Sequence, residues 1–204
     1  MYGICNLVII PLRIEPNDRS EQVSQVLFGE HFEVIEQLKQ WFKIRLQYDN
    51  YEGWIDSKQC QIISESDFIE ISNSALILNH DLVEYVTTKD DSLIPIPIGA
   101  SLSFLNFEGI NTNSFEFEGL KVTGIKPKNE LIKTAYMYLN APYLWGGKTP
   151  FGIDCSGFTQ MVYKLNGYRL LRDASQQSTQ GEALSFIEES EPGDLAFFDN
   201  EDGK

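Results

Sequence analysis

Between residues 1 and 60 the apolar positions fall in short runs or in alternation: Phe32 and Val34, then Trp41, Phe42, Ile44 and Leu46. A period of two reads as half-buried β-strand. Turn-prone clusters at Pro16-Asn17-Asp18 and Tyr48-Asp49-Asn50 separate the runs, which predicts a small barrel over residues 1–60. Residues 61–126 repeat the theme. Phe28-Gly29 followed by Phe32, Val34 and Ile35 is matched by Ile98-Gly99 followed by Leu102, Phe104 and Leu105, and Tyr51-Glu52-Gly53-Trp54 by Phe117-Glu118-Gly119-Leu120. Such a repeat predicts a second barrel.

The pattern changes at Ile125-Lys126-Pro127-Lys128-Asn129. Leu131, Ile132, Ala135, Tyr136 and Leu139 then recur at helical spacing, with Asn129 as the predicted N-cap and Asn140-Ala141-Pro142 as the stop. After a loop rich in Gly and Pro, Cys155, Phe158, Met161, Val162 and Leu165 share one face of a second predicted helix, closed by Asn166-Gly167. Glu191-Pro192-Gly193-Asp194 then turns into the apolar run Leu195 to Phe198, read as a buried strand. The expected fold class is α+β: two small β-barrels followed by a helix-plus-sheet unit over residues 127–204.

Composition narrows the chemistry. The 204 residues are 42% apolar and 12% aromatic, enough to build real cores. With 16 Lys and Arg against 30 Asp and Glu, the net charge of −14 argues against nucleic-acid and anionic-membrane partners. The first residues lack a basic flank and meet Pro11 and Arg13, so they read as strand, not signal peptide, and no apolar run reaches the roughly 18 residues of a membrane helix. A cytoplasmic monomer is expected. Cys5, Cys60 and Cys155 form neither a disulfide framework nor a Cys-x-x-Cys pair, so no metal or other cofactor is expected.

Cys155 carries the candidate chemistry. It opens its predicted helix just after Asp154, a plausible cap, where unpaired N–H groups and the positive end of the dipole favour a thiolate nucleophile. Trp145-Gly146-Gly147 lets backbone and substrate come close to the sulfur. A helical cysteine on an apolar face usually reads as a small core residue, but the position and flanks of Cys155 favour the nucleophile.

The stretch Tyr143-Leu144-Trp145-Gly146-Gly147, with Asp154-Cys155-Ser156-Gly157-Phe158, resembles the NlpC-type cell-wall peptidases, and the match runs on through Arg172-Asp173-Ala174-Ser175-Gln176-Gln177 and Pro192-Gly193-Asp194-Leu195. The two barrels resemble bacterial SH3-like domains, mainly through Tyr51-Glu52-Gly53-Trp54 and Leu27-Phe28-Gly29-Glu30. The resemblance implies a papain-like cysteine peptidase acting on γ-D-glutamyl–diamino-acid bonds of peptidoglycan peptides. It implies Cys155 as nucleophile, Tyr143 near the oxyanion, and Asp154, Ser156, Asp173 and Ser175 lining the cleft. Cap and solvated-charge roles for Asp154 and Asp173 stay open. Similar proteins use the first barrel to select peptides with a free N-terminal L-alanine. An ammonium end needs a carboxylate and favours an aromatic face, which among Glu21, Glu30, Glu52 and Tyr51 points to Tyr51 and Glu21.

The family's base histidine follows the Pro-Gly-Asp turn, and here no histidine follows Cys155. His31, alternating with Phe32, reads as solvent-facing, and His80 as a turn residue. The expectation is a chain cut short and hydrolytically inactive as it stands. Two other readings remain: a non-catalytic muropeptide-binding module, and a papain-like site used for acyl transfer or another amidase reaction.

Overall fold

The computed structural model describes residues 1–107 and 115–198; the last six residues of the expected third unit, 199–204, lie outside them. Seven antiparallel strands open the chain: β1 (Tyr2–Ile4), β2 (Ile9–Arg13), β3 (Gln22–Leu27), β4 (His31–Leu38), β5 (Trp41–Leu46), β6 (Glu52–Asp56) and β7 (Gln61–Ile63). They form one sheet in the order β3-β2-β6-β5-β4-β1-β7. Alternation explains its inner face: Phe32 pairs with Leu46 and Val34 with Ile44, and all four join one buried cluster with Ile10, Leu12 and Ile55. Because β7 pairs with β1, the sheet runs past residue 60 to Ile63.

The second unit begins with a helix that the periodicity did not predict, α1 (Glu65–Asn73), capped by Ser64, whose Oγ accepts from the Asp67 N–H at 3.1 Å. Strands β8 (Ile77–Asn79), β9 (Val83–Thr87), β10 (Leu93–Pro97) and β11 (Lys121–Thr123) follow. They form two separate ladders, β9 with β10 and β8 with β11, so the expected second barrel is not a continuous sheet among the described residues. The proposed echo of Tyr51–Trp54 fails on burial: Trp54 is 9% exposed inside the first sheet, whereas Leu120 is 63% exposed and outside any strand.

The third unit holds α2 (Glu130–Met137), a ladder of β12 (Lys148–Thr149) and β13 (Gly152–Ile153), α3 (Cys155–Leu165) and the short α4 (Ala174–Gln177). Two expectations are corrected here. Asn129 does precede α2, but its backbone is already helical (φ −65°, ψ −19°) and its side chain makes no cap bond. Leu195 to Phe198 form no strand among the described residues, and Phe198 is 88% exposed, because an apolar run becomes a buried strand only where another strand pairs with it.

The three units share their cores. Consecutive residues Val26, Leu27 and Phe28 enter three different buried clusters: the first sheet's own, one with Met161 and Val162 of α3, and one with Val86 and Ile96 of the second unit. His31 is likewise not solvent-facing. Its Nε2 lies 3.0 Å from Ser72 Oγ of α1 and its ring meets Phe68 edge-on, and burial holds the imidazole down to about 4. Alternation named the outer face of β4 correctly, but α1 covers it.

Candidate active site

Cys155 is the first residue of α3 and the one exposed cysteine; Cys5 is buried and Cys60 half-buried. Burial pushes the Cys5 thiol up and raises Cys60 to about 11, so neither is suited to act as a thiolate. Exposure removes the reading of Cys155 as a core residue. Asp154 caps the helix: its Oδ1 accepts from the Gly157 N–H at 2.6 Å and its Oδ2 from the Gly146 N–H at 2.9 Å. One carboxylate thus ties the helix start to the glycine loop. That loop admits little else. Gly146 has φ +74°, and a Cβ there would lie 2.5 Å from the Gln22 carbonyl oxygen; a Cβ on Gly157 would lie 2.3 Å from the Gly147 carbonyl oxygen.

The Asp154 carboxylate is held from behind by Arg172, which is 1% exposed. Its Nη1 and Nη2 donate to Oδ1 and Oδ2 at 3.0 and 2.7 Å, and Nη1 also donates to Ser156 Oγ at 3.0 Å. Nε donates to Ser24 Oγ of β3 at 3.0 Å. Both Asp154 oxygens and the Ser156 hydroxyl are therefore engaged within the protein, and both residues are buried. Gln177 of α4 completes the support, donating to the Ser156 carbonyl at 2.9 Å and accepting from Thr159 Oγ1 at 2.7 Å.

Tyr143, 67% exposed, bridges to Ile153 of the strand that leads into Cys155. Partial burial, then the neighbouring Cys155 and Asp154, push its phenol up, so at neutral pH it is a hydrogen-bond donor. The first unit supplies one wall. Glu21 Oε1 accepts from Trp145 Nε1 at 2.6 Å, and Gln22 Nε2 donates to the Trp145 carbonyl at 3.2 Å. Tyr51 donates its hydroxyl to Asp173 Oδ1 at 3.0 Å; burial first, then Asp173, raise that phenol. Asp173 also caps α4 in a reciprocal box with Gln176. Ser175, on α4, is exposed. The structure thus joins Tyr51 to Asp173 and Glu21 to Trp145, next in chain to Arg172 and Gly146 respectively.

Three buried cations were not foreseen: Arg172, Lys148 and Lys164. Lys148 Nζ (3.2 Å) and Lys164 Nζ (2.6 Å) both reach Glu30 Oε1, and Lys164 also donates to the Gly99 carbonyl. Burial opposes a charged Glu30, but the two ammoniums overcome it and hold the carboxyl down at about 2. Lys164 is lowered as well, since burial and Lys148 outweigh its share of the one carboxylate. The signal for Arg172 was its place beside Asp173 in the recognised stretch; nothing local marked the lysines. Among the described residues no His, Cys, Asp and Glu cluster could hold a metal.

A helix-borne thiol at the edge of a small sheet, walled by a preceding β unit, makes Cys155 the candidate nucleophile of an α+β chain. Residues 140–204 match the NlpC/P60 family and residues 12–59 the bacterial dipeptidyl-peptidase Sh3 domain, so the chain is similar to NlpC/P60 proteins that carry an N-terminal bacterial SH3 domain. It is 28% identical over 195 residues to a Bacillus subtilis gamma-D-glutamyl-L-lysine dipeptidyl-peptidase, with 89% of this chain and 65% of that protein covered. A Bacillus cereus protein of the same name is 27% identical over 206 residues, covering 89% and 61%. The chain thus spans under two thirds of the length of these two relatives. A crystal structure of an NlpC/P60 family protein from Bacillus cereus shares the fold, with a TM-score of 0.79 at 20% identity over 100% of this chain and 85% of that one. The relatives lend no support to the expected inactivity.

Proposed function

We propose that the protein is a cysteine peptidase that cuts the γ-D-glutamyl–diamino-acid bond of peptidoglycan peptides, releasing L-Ala-γ-D-Glu from a free N-terminus. The observation that carries this is the exposed Cys155 at the start of α3, beside the Tyr143 donor and a wall lent by the first unit. The names of the two Bacillus relatives support the bond and the two-residue product.

The Cys155 sulfur attacks the γ-carbonyl of D-Glu, and the electron pair of that carbonyl moves onto its oxygen. The Tyr143 hydroxyl and the Cys155 backbone N–H, unpaired at the helix start, receive the oxyanion. Collapse breaks the amide C–N bond and expels the amine of the diamino acid, which takes up, through solvent, the proton given up by the Cys155 thiol. Water then cleaves the thioester to the γ-carboxyl and returns a proton to the sulfur. No histidine among the described residues meets Cys155: His31 is bound to Ser72, and the His80 backbone is tied to Leu120. Glu21 and the Tyr51–Asp173 pair supply carboxylates and a phenol for the substrate's ammonium, which sets the two-residue length of the product.

Incubation with L-Ala-γ-D-Glu-L-Lys is expected to release L-Ala-γ-D-Glu and lysine, with Cys155→Ser abolishing release and N-acetylation of the substrate suppressing it. Binding of the tripeptide without release would instead favour a non-catalytic muropeptide module. Release that survives Cys155→Ser would overturn the assignment.

A further inference from the structure

We propose that Ser24 and Arg172 are positioning residues for Cys155, so that the first β unit sets the geometry of the nucleophile as well as walling the cleft. The inference rests on the reading of Cys155 as the nucleophile. All three guanidinium nitrogens of Arg172 are engaged inside the protein: Nη1 and Nη2 on the two Asp154 oxygens, Nη1 also on Ser156 Oγ, and Nε on Ser24 Oγ. A planar fork gripping a carboxylate at two points admits one orientation of that carboxylate, whereas a lysine point charge would not. The Ser24 hydroxyl, fully buried on β3, takes the remaining Nε–H and so fixes the fork within its plane.

What this holds is the backbone on both sides of Cys155. Asp154 receives the Gly157 N–H in the first turn of α3 and the Gly146 N–H in the glycine loop. Cys155 follows Asp154 directly, so the direction of its N–H and its Sγ depends on the cap. The relay runs from Ser24 to Arg172 to Asp154 and so to the helix start, and it originates in a strand 131 residues before the cysteine in the 204-residue chain. A strut that merely stabilised the fold would lower the melting temperature and leave the thiol of the folded protein unchanged. A positioning relay alters that thiol in protein that is still folded.

The test is iodoacetamide labelling of the protein, resolved by site through peptide mass and run well below each variant's melting temperature, with half-buried Cys60 as the reference in the same sample. Ser24→Ala is expected to lower the ratio of Cys155 to Cys60 labelling at least about threefold, a small part of the ~100-fold that a misplacement of about 1 Å costs. Arg172→Lys, which keeps the charge and loses the fork, is expected to lower it about tenfold. If Arg172→Lys does not fold, Ser24→Ala decides alone. An unchanged ratio, whatever happens to the melting temperature, overturns the proposal. The readout needs no substrate, so a lowered ratio in a protein that cleaves no tripeptide would remove the peptidase reading and leave the relay standing.

Discussion

The first and second β units lie against the same nucleophile-bearing unit but reach it by different means. Besides Leu27, packed with Met161 and Val162, the first does so with charged and polar side chains: Glu30 to Lys148 and Lys164, Ser24 to Arg172, Asp49 to Gln160, Glu21 to Trp145 and Tyr51 to Asp173. The second offers backbone groups, the Gly99 carbonyl to Lys164 and the Lys126 carbonyl and N–H to Tyr168 and Asn166, and apolar side chains, Leu78, Ile98 and Val122, packed with Met161 and Leu165. Apolar packing tolerates small shifts; bidentate and charge-assisted contacts do not. Two units that look alike in pattern therefore differ in what they control: the first governs the geometry of the site as well as stability, the second stability alone.

The sharpest way to break this contrast is at Glu30. Glu30→Gln leaves Lys148 and Lys164 buried without their carboxylate, and a loss of about 3–5 kcal/mol in unfolding free energy is expected from chemical denaturation. Because the native carboxyl is held down at about 2, its contribution is fully present above the ordinary glutamate range near 4.5 and fades as pH falls toward 2. The wild-type protein should lose that advantage over Glu30→Gln across this window.

The matching change in the second unit is Asn79→Ala. Asn79 is fully buried, donates to the Asp81 and Pro97 carbonyls and accepts from the Asp81 N–H, all within its own unit. A loss of about 1–3 kcal/mol is expected from leaving those groups unpaired. Cys155 labelling in the folded variant should stay at the wild-type rate, and a large change there would erase the distinction between the two units.

A pH-dependent effect belongs to His31, where the first unit meets α1. Its imidazole is kept neutral down to about 4 by burial, with Glu30 and Lys164 the nearby charges, while in the unfolded chain it takes a proton near 6.5. Fewer protons on the native state means stability falls as pH drops from 6.5 toward 4. Thermal unfolding of His31→Gln over that range should lack this slope.

Much of the third unit was legible. Asp154 as cap, Cys155 at the first turn and Asn166-Gly167 as the stop match α3 as observed, because caps and helical period are local properties. The buried lysines were not legible. Lys164 lies in a helix whose apolar stripe is plain, yet its burial depends on Glu30, 134 residues away in sequence. The same limit explains Leu195 to Phe198, where apolar character says nothing of whether a partner strand is present. Helix α1 did leave a local signal, Ser64 ahead of Asp67, but the expected repeat of the first barrel masked it. In the cleft, the residue types at Tyr51, Asp173 and Glu21 were readable, while their pairing across units needed the fold.

The central claim is that Cys155 is a nucleophile in a cleft that reads the substrate's free amine through the first unit. L-alanyl-γ-D-glutamyl chloromethyl ketone tests it in one experiment, since the sulfur displaces chloride and the adduct can be mapped by mass. The account predicts rapid labelling at Cys155 and much slower labelling by the N-acetylated reagent, with Tyr51→Phe and Glu21→Gln narrowing the difference. Equal rates for the two reagents, or an adduct on Cys60, would contradict it.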